Sequence, residues 1–286
     1  MLGQIGNTTQ FDVDYAAILA DILKREPTRN ERTRKWVRAI PGAFLRLDCD
    51  RDGRQPVLHL RNISPMWSCA EAVWFLSGAR STKLMKKFGF KTWDRFADKE
   101  GNVDSATGFR WREAYDMDQV QEVFKKLKAE PTSRQAVMLS WIPKWDLVKP
   151  GPNAPCIIAW HFQIADGRLH MSVMQRSADM YFGFPHDILG FRIVQELMAA
   201  GLGIKSGVIN YLLSNAHLYE DQWPAAHIMI GRAHRNIGFQ AFDFDFDKED
   251  WKAALEGSTT LPKKMFTRMC KWYKPWPAID GPRLVL

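Results

Sequence analysis

The run Pro155-Cys156-Ile157-Ile158-Ala159-Trp160-His161-Phe162-Gln163-Ile164-Ala165-Asp166-Gly167-Arg168-Leu169-His170-Met171-Ser172-Val173-Met174-Gln175-Arg176-Ser177 decides how the rest of the chain reads. Asp166-Gly167 is a strong hairpin signal, because these residues tolerate the positive φ angles that a tight two-residue turn demands. Residues 157–164 and 169–175 are therefore expected as paired strands. Pro155 fixes the backbone just ahead of Cys156. Further out, residues 12–26 have helical spacing with Pro27 just beyond, and 29–34 form a polar turn into a strand at 36–40. Residues 48–54 read as a turn, 57–60 as a strand and 69–76 as a buried helix. Residues 98–108 read as a loop, 118–128 as an amphipathic helix closed by Pro131, 136–141 as a strand and 144–155 as a long loop. Residues 185–201 read as a buried helix, 208–213 as a strand delivering His217 and Tyr219, and 239–246 as rough strand alternation. The apolar tail 282–286 points to docking. Strands and long helices mix without a repeating βαβ pattern, which indicates an α+β fold. No linker divides the chain, so one domain over 1–286 is expected.

Composition narrows the function. The chain has 286 residues, 46% hydrophobic, with 12 Trp, enough for a large core. It has no run of ~18 apolar residues, so no membrane span is expected. Its first residues do not read as a signal peptide. Cys49, Cys69, Cys156 and Cys270 are widely spaced without a CxxC pair. Neither a disulfide framework nor a metal site is expected, and a reduced cytoplasmic setting fits. The net charge of +8 is spread along the chain, which disfavours a nucleic-acid tail. Isolated arginines beside turns suit a phosphate pocket better.

Four groups of residues could carry chemistry, each beside a blander reading. Cys156 is a candidate nucleophile if cations such as Arg176 and Arg134 lower its pKa; a lone Cys is otherwise a small buried hydrophobe. Glu71 stands in an apolar helix, where a carboxylate is costly unless paired or functional, or else turns to the wet face. Arg176 and Ser177 combine a guanidinium fork and a hydroxyl, suited to phosphate, with a surface Arg–Asp179 pair as the alternative. His217 and Tyr219 stand at strand spacing and can hold a sugar hydroxyl, or be satisfied core residues.

In order, the chain carries Pro-Cys, a hairpin, Gln175-Arg176-Ser177-x-Asp179, Gly183-x-Pro185-x-Asp187-Ile188 and His217-x-Tyr219. This series resembles the thymidylate synthase family. Glu31-Arg32-Thr33, Glu71-Ala72-Val73-Trp74-Phe75-Leu76, Trp93-Asp94, Gly108-Phe109-Arg110-Trp111-Arg112 and Ser133-Arg134 extend the resemblance upstream. It implies a large mixed sheet packed against helices and a sheet-to-sheet homodimer with shared active sites. It implies that Cys156 attacks C6 of a pyrimidine nucleoside monophosphate, activating C5 toward 5,10-methylenetetrahydrofolate. Arg32, Arg176 and Ser177 would hold the 5′-phosphate, with Arg134 reaching across from the other subunit. His217 and Tyr219 would hold the sugar, and Glu71 would organise water and proton transfers. Trp93, Asp179, Gly183 and the C-terminal Leu286 would face the folate.

Asp187 departs from the synthases, which carry Asn there. An amide matches the N3–H and O4 of uracil; a carboxyl matches the amino group and N3 of cytosine. Asp at this place resembles the bacteriophage deoxycytidylate hydroxymethylases, in which water captures the methylene intermediate to give 5-hydroxymethyl-dCMP. In a viral setting the compartment would be the host cytoplasm. A methyl product from dCMP, hydroxymethylation of CMP, and a catalytically dead nucleotide- or RNA-binding relative are the alternatives. As a blander reading, Asp187 is a helix N-cap. Further departures are Ile157, Thr107, Gln135, His186, Arg61 and Asn215, where the family favours His, Tyr, Arg, Phe, Lys and Asp.

Overall fold

Thr9 opens the first helix, α1 (Gln10–Leu23), by a reciprocal cap. Its side chain accepts from the Asp12 N–H, and the Asp12 carboxylate accepts the Thr9 N–H at 2.8 Å. The structure, a computed structural model, describes residues 8–48, 57–148, 153–235 and 242–282. After α1 come β1 (Thr28–Arg29), β2 (Trp36–Leu47), α2 (Pro65–Ser77), α3 (Lys83–Lys87), α4 (Thr107–Arg112), α5 (Gln119–Ala129) and β3 (Val137–Leu139). Then follow β4 (Ile157–Ala165), β5 (Arg168–Gln175), β6 (Ala178–Asp179), α6 (Gly183–Leu202), β7 (Lys205–Tyr219), α7 (Trp223–Ala233), α8 (Lys248–Leu255) and α9 (Leu261–Cys270).

The strands form one mixed sheet in the order β1-β2-β7-β5-β4-β3, with β6 also paired to β7. The β4–β5 hairpin turns at Asp166 (φ 50°) and Gly167 (φ 68°), both in the left-handed region that a tight turn of this type needs. β5 pairs with β7 in parallel, which requires a long crossover. The 20-residue α6 supplies it and so lies across the sheet. Leu45, Tyr211, Val173, Trp160 and Met138 stand in one register row and are at most 1% exposed. On that face α1 packs on β2, and α6 on β5 and β7. The adjacent row is Phe44, Leu212, Met174, Ala159 and Leu139. It faces the other way, with Phe44 58% and Leu212 43% exposed.

The helical layer is tight where it will matter. A Cβ on Gly108 would stand 2.3 Å from the Phe75 carbonyl oxygen, so only glycine lets α4 lie directly on α2. Arg110 of α4 makes a bidentate ion pair with Asp146 at 2.9 and 3.0 Å. Both side chains are buried, which anchors the turn at Lys144–Val148 on the approach to Cys156.

Some expectations need correction. Residues 57–60 form no strand. They are buried, but the His59 N–H goes to the Asp12 carboxylate at 2.8 Å and its carbonyl accepts from Trp276 N–H at 2.8 Å. Side-chain and C-terminal partners thus satisfy the backbone that a neighbouring strand would otherwise pair. Phe242 and Phe244 are buried and alternate with exposed Asp243 and Asp245, yet 242–246 joins no ladder. Ring contacts between those phenylalanines, 4.8 Å apart, explain the alternation without a sheet. β2 runs past residue 40 to Leu47 through Pro41, tolerated because β1 ends before it and leaves that edge unpaired. Residues 49–54 of the expected turn, 149–152 of the long loop, 239–241 and the tail 283–286 lie outside the described residues.

Candidate active site

Cys156 stands at the mouth of β4, on a peptide held by Arg176. The Cys156 carbonyl accepts from the Arg176 N–H at 2.9 Å. The guanidinium donates to the carbonyls of Pro155 and Ala154 at 2.9 and 3.0 Å and lies 5.2 Å over the Trp141 ring. The thiol is open to solvent on one side, while protein crowds its others. The resulting loss of hydration pushes its pKa up; Arg176 and Arg32 oppose the rise, and Asp187 adds to it. The expected lowering by cations is thus corrected: burial wins, and the thiol needs a proton acceptor before it attacks. Arg134 is exposed, ahead of β3, and the cations acting on the thiol are Arg176 and Arg32.

The end of β7 adds a polar corner. His217 and Tyr219 meet edge to face at 5.3 Å. The Asn215 amide oxygen lies 3.0 Å from His217 Nδ1, which makes Nδ1 the protonated nitrogen and leaves Nε2 as an acceptor. Burial lowers the His217 pKa against the pull of Asp179, so the ring stays neutral. Thr33, on the turn that carries Arg32, acts on the Tyr219 phenol, although burial wins and its pKa is raised. Thr33 in turn is fixed on Asn30 Oδ1 by its N–H at 3.0 Å and its hydroxyl at 3.1 Å. The turn that carries Arg32 is thereby fixed, and Arg32 influences Cys156, His217 and Tyr219 alike. Ser177 follows β5, half-buried.

Helices build the opposite wall. Glu71 is only 5% exposed, which removes the wet-face reading. Trp93 Nε1 donates to Glu71 Oε1 at 2.9 Å, and Trp67, one turn earlier on α2, likewise favours the charged carboxylate. Burial raises Glu71 to about 7 in spite of both indoles. Asp187 lies inside α6, which begins at Gly183, so it is not a helix cap. Asp179 serves that end instead: its Oδ1 accepts from the Tyr181 and Phe182 N–H groups at 2.9 and 3.0 Å. Asp187 Oδ2 accepts from Gln175 Nε2 at 2.6 Å. Burial holds the Asp187 pKa well above the usual carboxylate range, with the nearby charge of Glu71 adding to the rise. His186 is pushed down to about 3 by burial and by Arg61, so it is neutral beside Trp67.

Other expected site residues fall as follows. Asp179 keeps Oδ2 on Gln222 Nε2 at 3.2 Å. A Cβ on Gly183, the first residue of α6, would meet Asp179 Cβ at 4.0 Å. Leu286 lies outside the described residues. Arg61 is buried under the start of α6, donating to the Asn62 carbonyl at 3.1 Å and to Tyr181, with its guanidinium 4.3 Å over the Tyr181 ring. Thr107 is buried at the head of α4, and Ile157 is buried opposite Gln175. Gln175 and Trp67 were given no role from the sequence. For Trp67 the signal was its i,i+4 spacing from Glu71, which puts both on one helix face. For Gln175 no local signal exists, because α6 brings Asp187 to it.

A family model described as thymidylate synthase matches residues 13–253, from α1 into α8. The matched span contains Cys156, Glu71, Arg32, Arg134, Arg176, Ser177, His217, Tyr219, Trp93, Asp179, Gly183 and Asp187.

Proposed function

The chain belongs to the thymidylate synthase family, and from that premise we propose that it hydroxymethylates C5 of dCMP. The family carries out folate-dependent one-carbon transfer to C5 of a pyrimidine nucleotide. The observation that carries the cytosine reading is Asp187: an acid inside α6, protonated by burial and the charge of Glu71. A neutral carboxyl offers one donor and one acceptor. Cytosine presents an acceptor at N3 and a donor amino group at C4, so the two edges match. Uracil presents N3–H and O4, and would need the carboxyl proton on the other oxygen.

The residues then divide the work. Arg32, Arg176 and Ser177 bind the 5′-phosphate, and Arg134 of the partner subunit completes that grip. His217 Nε2 accepts the 3′-hydroxyl proton beside the Tyr219 phenol. The Cys156 sulfur, once deprotonated, forms a bond to C6; the C5–C6 π pair moves through C4 onto N3, which takes the Asp187 proton. C5 becomes an enamine carbon and Asp187 a carboxylate. Glu71 accepts the C5 proton, through water, once C5 has been alkylated. Trp93, Trp67 and His186 give an aromatic wall, and Asp179 a carboxylate, a donor set that suits a pterin ring beside Gly183. Methylenetetrahydrofolate, when bound there, would supply the one-carbon unit at the oxidation level of formaldehyde; tetrahydrofolate leaves, water adds to the methylene carbon on C5, and the enamine electrons then re-form C5=C6, expelling the Cys156 sulfur from C6 while N3 returns its proton to Asp187. The open apolar row Phe44, Leu212, Met174, Ala159 and Leu139 supports back-to-back pairing of two sheets.

Mass analysis of products from dCMP, CMP or dUMP with methylenetetrahydrofolate tests the reading. 5-Hydroxymethyl-dCMP with tetrahydrofolate is expected. A methyl product with dihydrofolate, or turnover of CMP or dUMP alone, overturns it. Leu212→Glu is expected to convert a dimer to monomers in sedimentation and to abolish turnover, since a buried unpaired charge opposes pairing. An unchanged dimer removes the sheet-to-sheet arrangement.

A further inference from the structure

Gln175 is the last residue of β5, fully buried, and stands in register opposite Ile157, next to the nucleophile. Its Nε2 donates to Asp187 Oδ2 at 2.6 Å. In this orientation the amide turns its donor, not its acceptor, to Oδ2 of the carboxyl. Gln175 Oε1 is buried and accepts no hydrogen bond among the described residues. The amide therefore gives its donor to Asp187 and keeps a bare acceptor beside it.

We propose that Gln175 is a positioning residue that marks Oδ2 of Asp187 as the acceptor edge and leaves Oδ1 for the proton, and thereby sets the preference for cytosine. The inference rests on the reading of Asp187 as the group that meets the base. A proton on Oδ2 would face the Gln175 N–H donor, so it resides on Oδ1. The base then meets a carboxyl whose donor and acceptor positions are ordered before binding rather than selected during it. The bare Oε1 favours the same substrate, since a cytosine amino group carries N–H donors and a uracil carbonyl carries none. The charged and titratable groups around Asp187 are Glu71 from α2, Asp179 from β6, Tyr15 from α1 and Cys156 ahead of β4. Glu71 and Asp179 raise its pKa, and the Gln175 bond opposes them.

Gln175→Met keeps the length and bulk of a buried side chain but removes both the donor and the acceptor. It is read in wild-type and Asp187→Asn backgrounds, by kcat/KM for dCMP and for dUMP and by calorimetric titration with each nucleotide alone. The expected result is a fall of about tenfold or more in the dCMP/dUMP ratio in the wild-type background, and less than about twofold in the Asp187→Asn background, since a residue acting through Asp187 loses its effect when that carboxyl is gone. The pH limb belonging to Asp187 should also move upward in Gln175→Met, because the lost bond favoured the charged form. Equal losses on both nucleotides, or the same loss in the Asp187→Asn background, overturn the proposal and reduce Gln175 to packing. If Asp187→Asn alters selectivity while Gln175→Met does not, the Gln175 inference falls and the Asp187 reading stands. If neither does, both fall. Circular dichroism and titration with dCMP separate misfolding from altered recognition. Should Gln175→Met not fold, Gln175→Glu, of the same length, replaces the donor by an oxygen and is expected to lower the ratio further.

Discussion

The two sides of the candidate site are built by different means. The sheet side carries Cys156, Arg176, Ser177, His217 and Tyr219 at strand ends, where backbone register sets their spacing. The helix side carries Glu71, buried on α2, and Asp187, half-buried inside α6, both with raised pKa. On the sheet side stand the cations and neutral donors proposed to hold the nucleotide's phosphate and sugar. On the helix side two carboxyls share an apolar setting, and the charge of Glu71 makes Asp187 harder to ionise. Grip is thus a matter of position, and proton chemistry a matter of surroundings.

Perturbing each side should break different things. Cys156→Ser is expected to lower turnover by about 10⁴-fold or more, with nucleotide affinity changed only a few-fold, because the phosphate grip survives. Single-turnover kinetics beside calorimetric titration checks this, and turnover within tenfold of wild type would remove the covalent role. Glu71→Gln should cost about 10²-fold in kcat/KM and erase a limb that rises through pH 7 in the wild type. The same change should act on stability in the opposite sense. Glu71 titrates at about 7 when folded against 4.5 when unfolded, so the folded state holds a proton the unfolded state has released. Stability contributed by that proton is full below pH 4.5 and is lost as pH rises through 7, on the order of 3 kcal/mol. Denaturant titrations of both proteins should therefore diverge across that window, with Glu71→Gln the more stable at pH 8. Parallel curves would mean that Glu71 is hydrated. Trp93→Phe removes one indole donor that favours the charged carboxylate, so the Glu71 limb should move further up, with a rate loss under about tenfold at neutral pH. A downward move would contradict the bond seen between Trp93 and Glu71.

How far each side could be read from the sequence follows the same division. Local rules found the hairpin, because Asp166-Gly167 specifies its own turn, and the helices of Glu71 and Asp187. Motif order singled out Cys156, Arg176, Ser177, His217 and Tyr219 as candidates. The burial of Glu71 and the two indoles upon it were not legible, since Trp93 arrives from a separate segment. Sequence alone allows Asp187 as a helix cap, and α6 begins four residues earlier, at Gly183. The strand expected at 57–60 failed because its polar backbone pairs with Asp12 and Trp276, far away in the chain. The sign of the Cys156 shift also escaped sequence, because neighbouring arginines can be named but crowding cannot be counted.

Asp187 remains the point on which the cytosine assignment turns. The most direct measurement offers equal amounts of dCMP and dUMP, with methylenetetrahydrofolate, to the wild type and to Asp187→Asn, and follows both products by mass. Wild type should convert dCMP in preference to dUMP, and Asp187→Asn should move the ratio toward dUMP by about 10²-fold, as expected when a buried donor–acceptor edge is reversed. Preferred conversion of dUMP by the wild type, or one ratio for both proteins, would contradict it.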